Sequence, residues 1–151
     1  MGPLRITIAW IGRTKEPAFE ALTAEYIKRT SRFARIEGLP LRDESALLAL
    51  CSGGRSSGAK RSLAILDSRG KQFSSEEFAR FLENHEQRIS IPLVLAIGPA
   101  DGFSDAIRTA AQYSISLGKM TLAHELARVV LAEQVYRAFT ILKGHPYHNG
   151  H

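Results

Sequence analysis

The chain has 151 residues, 44% hydrophobic and 23% charged, a balance that gives one domain over 1–151 a real core and excludes a disordered or fibrous protein. No apolar run reaches the ~20 residues needed to span a bilayer, which argues against a membrane protein. The single cysteine, Cys51, excludes an internal disulfide and points to a reducing, cytoplasmic setting. The formal net charge of +5 and a pI of about 9.7 are compatible with a nucleic-acid partner without requiring one.

Residues 4–11, LRITIAWI, are β-rich and predict a first strand, and this alternation suits a strand better than a signal peptide. Phe19, Leu22, Tyr26, Thr30 and Phe33 recur every three or four residues and predict a helix. Pro17 falls near its first turn, where a missing N–H costs little. Residues 35–41, RIEGLPL, predict a short strand whose Gly38 and Pro40 suit a sheet edge. Residues 44–51 predict a short helix, with Cys51 a small packed residue beside Leu47, Leu48 and Leu50. Residues 52–58, SGGRSSG, have the composition of a flexible loop.

A βαβα rhythm follows. Residues 62–67, SLAILD, predict a buried strand, with Gly70 in the loop after it. Ser74 and Glu77 form a capping-box signature ahead of Phe78, Phe81 and Leu82. Residues 91–98, IPLVLAIG, predict a buried strand, and Ser104 can cap a helix through Ala111. Residues 112–117, QYSISL, alternate as a fifth strand. A long helix is predicted over about 124–142, with Leu131, Val135, Ala138 and Leu142 on one face. Strands alternating with helices predict a parallel α/β sheet with ligand loops at the strand C-termini.

Several segments could carry chemistry. Ile97 to Gly102, IGPADG, joins a buried strand to a capped helix. Gly98 would let a ligand approach the backbone, so that any side chain there would enter ligand space; an ordinary βα turn is the alternative. The run is neither a dinucleotide fingerprint nor a P-loop, so a small nucleotide-binding domain lacks its phosphate cradle. Asp67, after the third strand, either accepts hydrogen bonds from a ligand or caps a turn. Leu117 to Leu122, LGKMTL, could form a slot for a flat ring or serve as a hydrophobic connector. On the long helix, Glu133 and Arg137 stand four apart in the favourable order for an ion pair. Arg128 lies off the apolar stripe, facing RNA phosphate or water. His145, His148 and His151 are evenly spaced, but Pro146 and the lack of a second ligand cluster argue against a metal. Tyr147 and His148 could stack on a base or move a proton, or belong to a frayed end.

The runs LVLAIGPADGFS and SISLGKMTLAHELARVVLAEQVYRAFTILKGHPYH resemble the SPOUT (α/β-knot) methyltransferases, and among them the RlmH family. The resemblance extends to the opening strand with Gly12 and to LDSRGK, and is loosest over residues 13–60. It implies a parallel sheet flanked by helices with a C-terminal trefoil knot, a rare exception to unknotted topology. It implies S-adenosylmethionine as cofactor, held by Leu66, Gly98 and the loop Leu117, Gly118, Lys119, Met120, Thr121 and Leu122. It implies a homodimer whose sites are completed by the partner subunit, acting on N3 of a pseudouridine in 23S ribosomal RNA of the assembled ribosome.

That imide N3 must lose a proton, and His148 is the first candidate base, with Glu133 second. Tyr147 stands beside them, and Arg128, Arg137 and Lys119 are candidates for phosphate or base contacts. Val129 and Val130 beside the main stripe would put the long helix at the dimer interface. The sequence departs from the family where Pro99 replaces the second of two adjacent glycines, removing one backbone donor. That departure favours the competing class, a non-catalytic ribosome-binding factor with a degenerate knot.

Overall fold

The computed structural model describes residues 4–53 and 60–149. Its elements run β1 (Arg5–Ile11), α1 (Pro17–Thr30), β2 (Arg35–Leu41), α2 (Glu44–Ser52), β3 (Ser62–Gln72), α3 (Ser75–Asn84), β4 (Leu93–Ile97), α4 (Asp105–Ala110), β5 (Tyr113–Ser116) and α5 (His124–Leu142). Ser52 ends α2 and Gly53 caps it in the left-handed region, while residues 54–58 of the SGGRSSG run, like His151, lie outside the described residues.

All strand pairs are parallel, in the order β2-β1-β4-β3-β5. β2, with its Gly38 and Pro40, is an edge strand as its composition demands. β4 lies inside the sheet and is buried along its whole length, which explains its unbroken apolar run. Its alternate residues face two cores. Leu93, Leu95 and Ile97 meet Phe78, Leu82, Leu131, Val135 and Phe139 beneath α3 and α5. Val94 and Ala96 meet Leu47, Phe103 and Ile107 beneath α2 and α4. Helices therefore cover both faces of the sheet, and the 66–68 segment of β3 gathers with the loops after β4 and β5 at one edge.

Local signals set the helix starts. Ser74 Oγ accepts from the Glu77 N–H at 3.0 Å, and Glu77 Oε1 accepts from the Ser74 N–H at 2.7 Å. Such caps contribute about 1 kcal/mol each. Ser104 caps α4 and is itself held by Glu44, which accepts the Ser104 N–H at 2.9 Å.

Two features differ from the sequence expectation. β3 does not end at Asp67: it resumes through Gln72, with a register irregularity between Leu66 and Lys71, both opposite Ile115. The LDSRGK segment is thus a bulge within a strand rather than a loop after one. After α3 the chain makes a π-helical turn over His85–Ile89, ending at Ser90 with a left-handed φ of 64°.

Candidate active site

The bulge of β3 and the C-terminal ends of β4 and β5 enclose a cavity of about 320 Å³. Leu66, Gly98, Leu117, Gly118, Met120, Thr121 and Leu122 line it, so three segments far apart in sequence converge as expected; exposed Lys119 does not contribute to the wall. Gly118 adopts a φ of +138°, with open space where a Cβ would stand. Ser116 fixes this turn: its hydroxyl donates to the Gly118 carbonyl at 2.9 Å and accepts the Gly118 N–H at 3.1 Å.

Gly98 lies on the cavity wall and also has a protein neighbour that the sequence did not reveal. A Cβ there would meet the ring of Phe103 at 3.2 Å rather than open ligand space. Phe103 is buried and also lines the cavity, so a side chain at 98 reshapes the pocket through that ring. Pro99 uses its carbonyl, which accepts the Gly102 N–H at 2.8 Å and closes the turn without a donor at position 99.

Sequence reasoning did not place Arg108, Ser116 and His124 on the cavity wall. Asp67 does cap its turn, accepting the Arg69 N–H at 3.0 Å, but it also accepts Arg108 Nε at 2.7 Å beside the cavity. The Arg69 N–H first, and Arg108 with it, hold the Asp67 carboxyl below its ordinary range. The β3-to-α4 partnership had no signal in the sequence, because spacing along a chain does not reveal which βα turns become neighbours.

A second group sits on α5 and the tail. Arg137 Nη2 donates to Glu133 Oε2 at 2.7 Å, and the Tyr147 hydroxyl donates to the same oxygen at 2.7 Å. The Tyr147 ring packs edge-on against Tyr136 at 4.7 Å, with the Arg137 guanidinium 5.0 Å from its centroid. Arg137 Nη1 lies 2.9 Å from His148 Nδ1, and His148 Nε2 lies 2.8 Å from Glu76 Oε1 on α3. Guanidinium only donates, so Nδ1 accepts and Nε2 carries the proton toward Glu76. Burial, then the bond to Glu133, raise the Tyr147 pKa, so its phenol stays protonated. The bond to Glu133 raises that of Arg137. Tyr147 and His148 are therefore docked rather than frayed.

Arg128 is a correction. It is 2% exposed and faces neither water nor RNA in its own chain. Its guanidinium lies 4.2 Å from the Trp10 ring and donates to Thr23 Oγ1 at 3.2 Å, while Nη2 has no hydrogen-bond partner among the described residues. The apolar stripe of α5 describes only the face on the sheet; a second face packs on α1, and Arg128 lies there. Val129 is likewise buried in its own chain and is not surplus surface, and Val130 is half-buried. The exposed apolar side chains near this face are Leu22 of α1 and Leu126 of α5.

Residues 4–148 match the family described as Predicted SPOUT methyltransferase. A ribosomal RNA large subunit methyltransferase H from Koribacter versatilis (strain Ellin345) is 50% identical over 149 residues, covering 98% of this chain and 100% of the relative. The protein of that name from Geobacter sp. (strain M21) is 39% identical over 160 residues, covering 97% and 99%. Among solved structures, a probable methyltransferase from Bordetella pertussis Tohama I superposes with a TM-score of 0.59 at 12% identity, over 90% of this chain and 95% of that one. The SpoU methyltransferase AviRb from Streptomyces viridochromogenes, in complex with the cofactor AdoMet, gives 0.55 at 14% identity over 91% of this chain. This chain spans only 58% of AviRb, and at such identities these two likenesses concern the fold alone. Matched over almost its whole length by the family and by relatives of the same size, the chain belongs to the SPOUT methyltransferases, in the family of the ribosomal RNA large subunit methyltransferase H proteins.

Proposed function

We propose that the chain is a large-subunit ribosomal RNA methyltransferase that moves a methyl group from S-adenosylmethionine to N3 of a pseudouridine in 23S RNA of the assembled ribosome. The observation that carries this reading is the cavity between the β3 bulge and the ends of β4 and β5, lined by Leu66, Gly98 and residues of the 117–122 loop. It suits such a ligand. Leu66, Leu117 and Leu122 offer apolar walls for a flat ring, Gly118 leaves space open, and Asp67 and Arg108 add a carboxylate and a guanidinium. When bound, S-adenosylmethionine supplies an electrophilic methyl, so the protein's task is alignment.

The tail supplies the RNA side. Tyr147, held protonated by Glu133, presents a ring and a donor rather than a base. His148 takes the N3 proton on Nδ1 once Arg137 releases that lone pair, with Glu133 as the second base. Arg137 and Lys119 meet phosphate or base edges.

The working unit is a homodimer. Ala127 is on the cavity wall and Arg137 is ten residues further along the same helix, about 15 Å at 1.5 Å per residue. A tail docked that far from its own cavity is better placed to serve the cavity of a second copy. Exposed Leu22 of α1 and Leu126 of α5 offer apolar surface for that partner. The trefoil knot and a cytoplasmic location belong to the same reading; no helix among the described residues is long and apolar enough to cross a membrane.

The competing reading, a non-catalytic ribosome-binding factor, rests on Pro99 and its missing donor. Calorimetric titration with S-adenosylmethionine separates the two: micromolar binding supports the enzyme, and no binding supports the factor. Mass spectrometry of ribosomal RNA from a strain lacking the chain then tests the target, and an unchanged methylation pattern refutes it.

A further inference from the structure

We propose that a groove at the outer edge of the sheet holds a nucleotide flanking the target base in single-stranded RNA. The inference rests on the RNA reading above but concerns a surface separate from both the cofactor cavity and the tail. Where the second half of β3, the edge strand β5 and α3 meet, they bound a cleft of about 630 Å³. Three rings stand in its wall. Phe81 lies 5.5 Å from Phe73 and 4.9 Å edge-on from Tyr113, and all three are half-buried. Two exposed cations, Lys71 and Arg80, share the wall, with Lys71 Nζ 5.3 Å from the Phe73 centroid. The one opposing carboxylate, Glu77, is turned to the α3 N-terminus, where it accepts the Ser74 N–H. Half-buried rings beside cations, two against one carboxylate, match a base with its phosphates.

The groove is built from behind. His85, 1% exposed in the π-helical turn, donates Nε2–H to the Ile91 carbonyl at 2.9 Å, which leaves Nδ1 as an acceptor 3.5 Å from the Tyr113 hydroxyl. A buried imidazole so placed sets the pose of the Tyr113 ring. Position supports the same occupant. Glu76, which accepts from His148 of the tail, is adjacent in sequence to Glu77 of the groove, so the first turn of α3 separates the two sites. A strand that places one base at the tail can carry its neighbour over that turn.

The test uses the full chain, a fluorescein-labelled single-stranded 12-mer oligoribonucleotide and purified ribosomes. In Lys71→Glu/Arg80→Glu, which changes exposed side chains only, the 12-mer should bind at least about tenfold more weakly. The log–log salt dependence should be shallower by about 1.4, at ~0.7 for each lost single-strand phosphate contact. S-adenosylmethionine affinity, read by calorimetry, should not change. Tyr113→Leu should weaken RNA binding, and Tyr113→Phe should restore most of it, because the ring survives. Photo-crosslinking of a 4-thiouridine 12-mer should label the peptides carrying Phe73, Phe81 or Tyr113. Equal affinity and salt slope in wild type and double variant, with wild-type methylation of ribosomes, would overturn the groove and leave the enzyme reading standing. Failure of the wild type to bind the 12-mer, with ribosomes still methylated, would overturn the groove alone; failure to bind or methylate ribosomes would overturn both.

Discussion

Replacing Tyr147 with Phe separates what its ring does from what its hydroxyl does. The substitution removes the hydroxyl's bonds, that to Glu133 Oε2 at 2.7 Å and that shared with Tyr26, and keeps the contacts with Tyr136 and Arg137. Hydrogen bonds to charged groups contribute ~1.5–3 kcal/mol, but Glu133 retains Arg137 and some water access, so a loss of about 1 kcal/mol is expected. In a chain of this size that lowers Tm by about 2–4 °C. Tyr147→Ala also loses the edge-on ring pair, ~0.5–1.5 kcal/mol, and the cation–π contact, ~0.5–1 kcal/mol. Its Tm should fall by about 4–14 °C. Both proteins should bind S-adenosylmethionine as wild type does, because Tyr147 is not on the cavity wall. The assay is single-turnover methylation of purified ribosomes, with scanning calorimetry alongside. If the ring stacks on the target base, Phe should keep the rate within a few-fold, while Ala loses ~5–150-fold. Equal losses in Phe and Ala would refute stacking and assign the work to the hydroxyl; wild-type rates in both would remove the tail from the site.

Truncation after Gly144 should preserve cofactor affinity in titration calorimetry and abolish methyl transfer, since the cavity is walled entirely by upstream residues. Gly118→Ala meets no atom but forces a φ of +138° on an L-residue; it should cost ~1–3 kcal/mol in denaturant melts and weaken cofactor binding as the turn relaxes. The folded-state pKa of Asp67 is depressed, so its contribution is present above its unfolded value of 3.8 and lost as pH falls through the folded value. Asp67→Asn should therefore lower Tm near neutral pH and differ less from wild type below about pH 4. Burial pushes the Cys51 thiol up to about 11, so it should react with a maleimide only after denaturation; rapid labelling of the native protein would contradict its packing.

The architecture was legible where sequence signals act locally. The Ser74–Glu77 pair announces its helix because both hydrogen bonds close within four residues. The apolar run of β4 announces a central strand because both its faces are buried. The cavity positions came from the family's motifs, whereas spacing alone left IGPADG and LGKMTL undecided. What stayed hidden depends on tertiary neighbours. Arg128 read as outward because periodicity reports one buried face, and α5 has a second against α1. The bulge in β3 depends on how β5 pairs, and the link from Asp67 to Arg108 depends on which turns meet. His148 looked like a free base, yet both its nitrogens are engaged by groups 11 and 72 residues away.

The strand order also bears on how the protein comes to be able to work. β4 enters between β1 and β3, and β5 pairs with β3. Every such pairing joins distant stretches of chain, and long-range parallel pairing is slow. The cavity draws a wall from each of the last three strands, so it exists only once β3, β4 and β5 have paired. Partly folded chains therefore have no cavity to fill, and a ligand that binds there draws molecules toward the finished state by mass action. In this protein, competence to bind and completion of folding are one event.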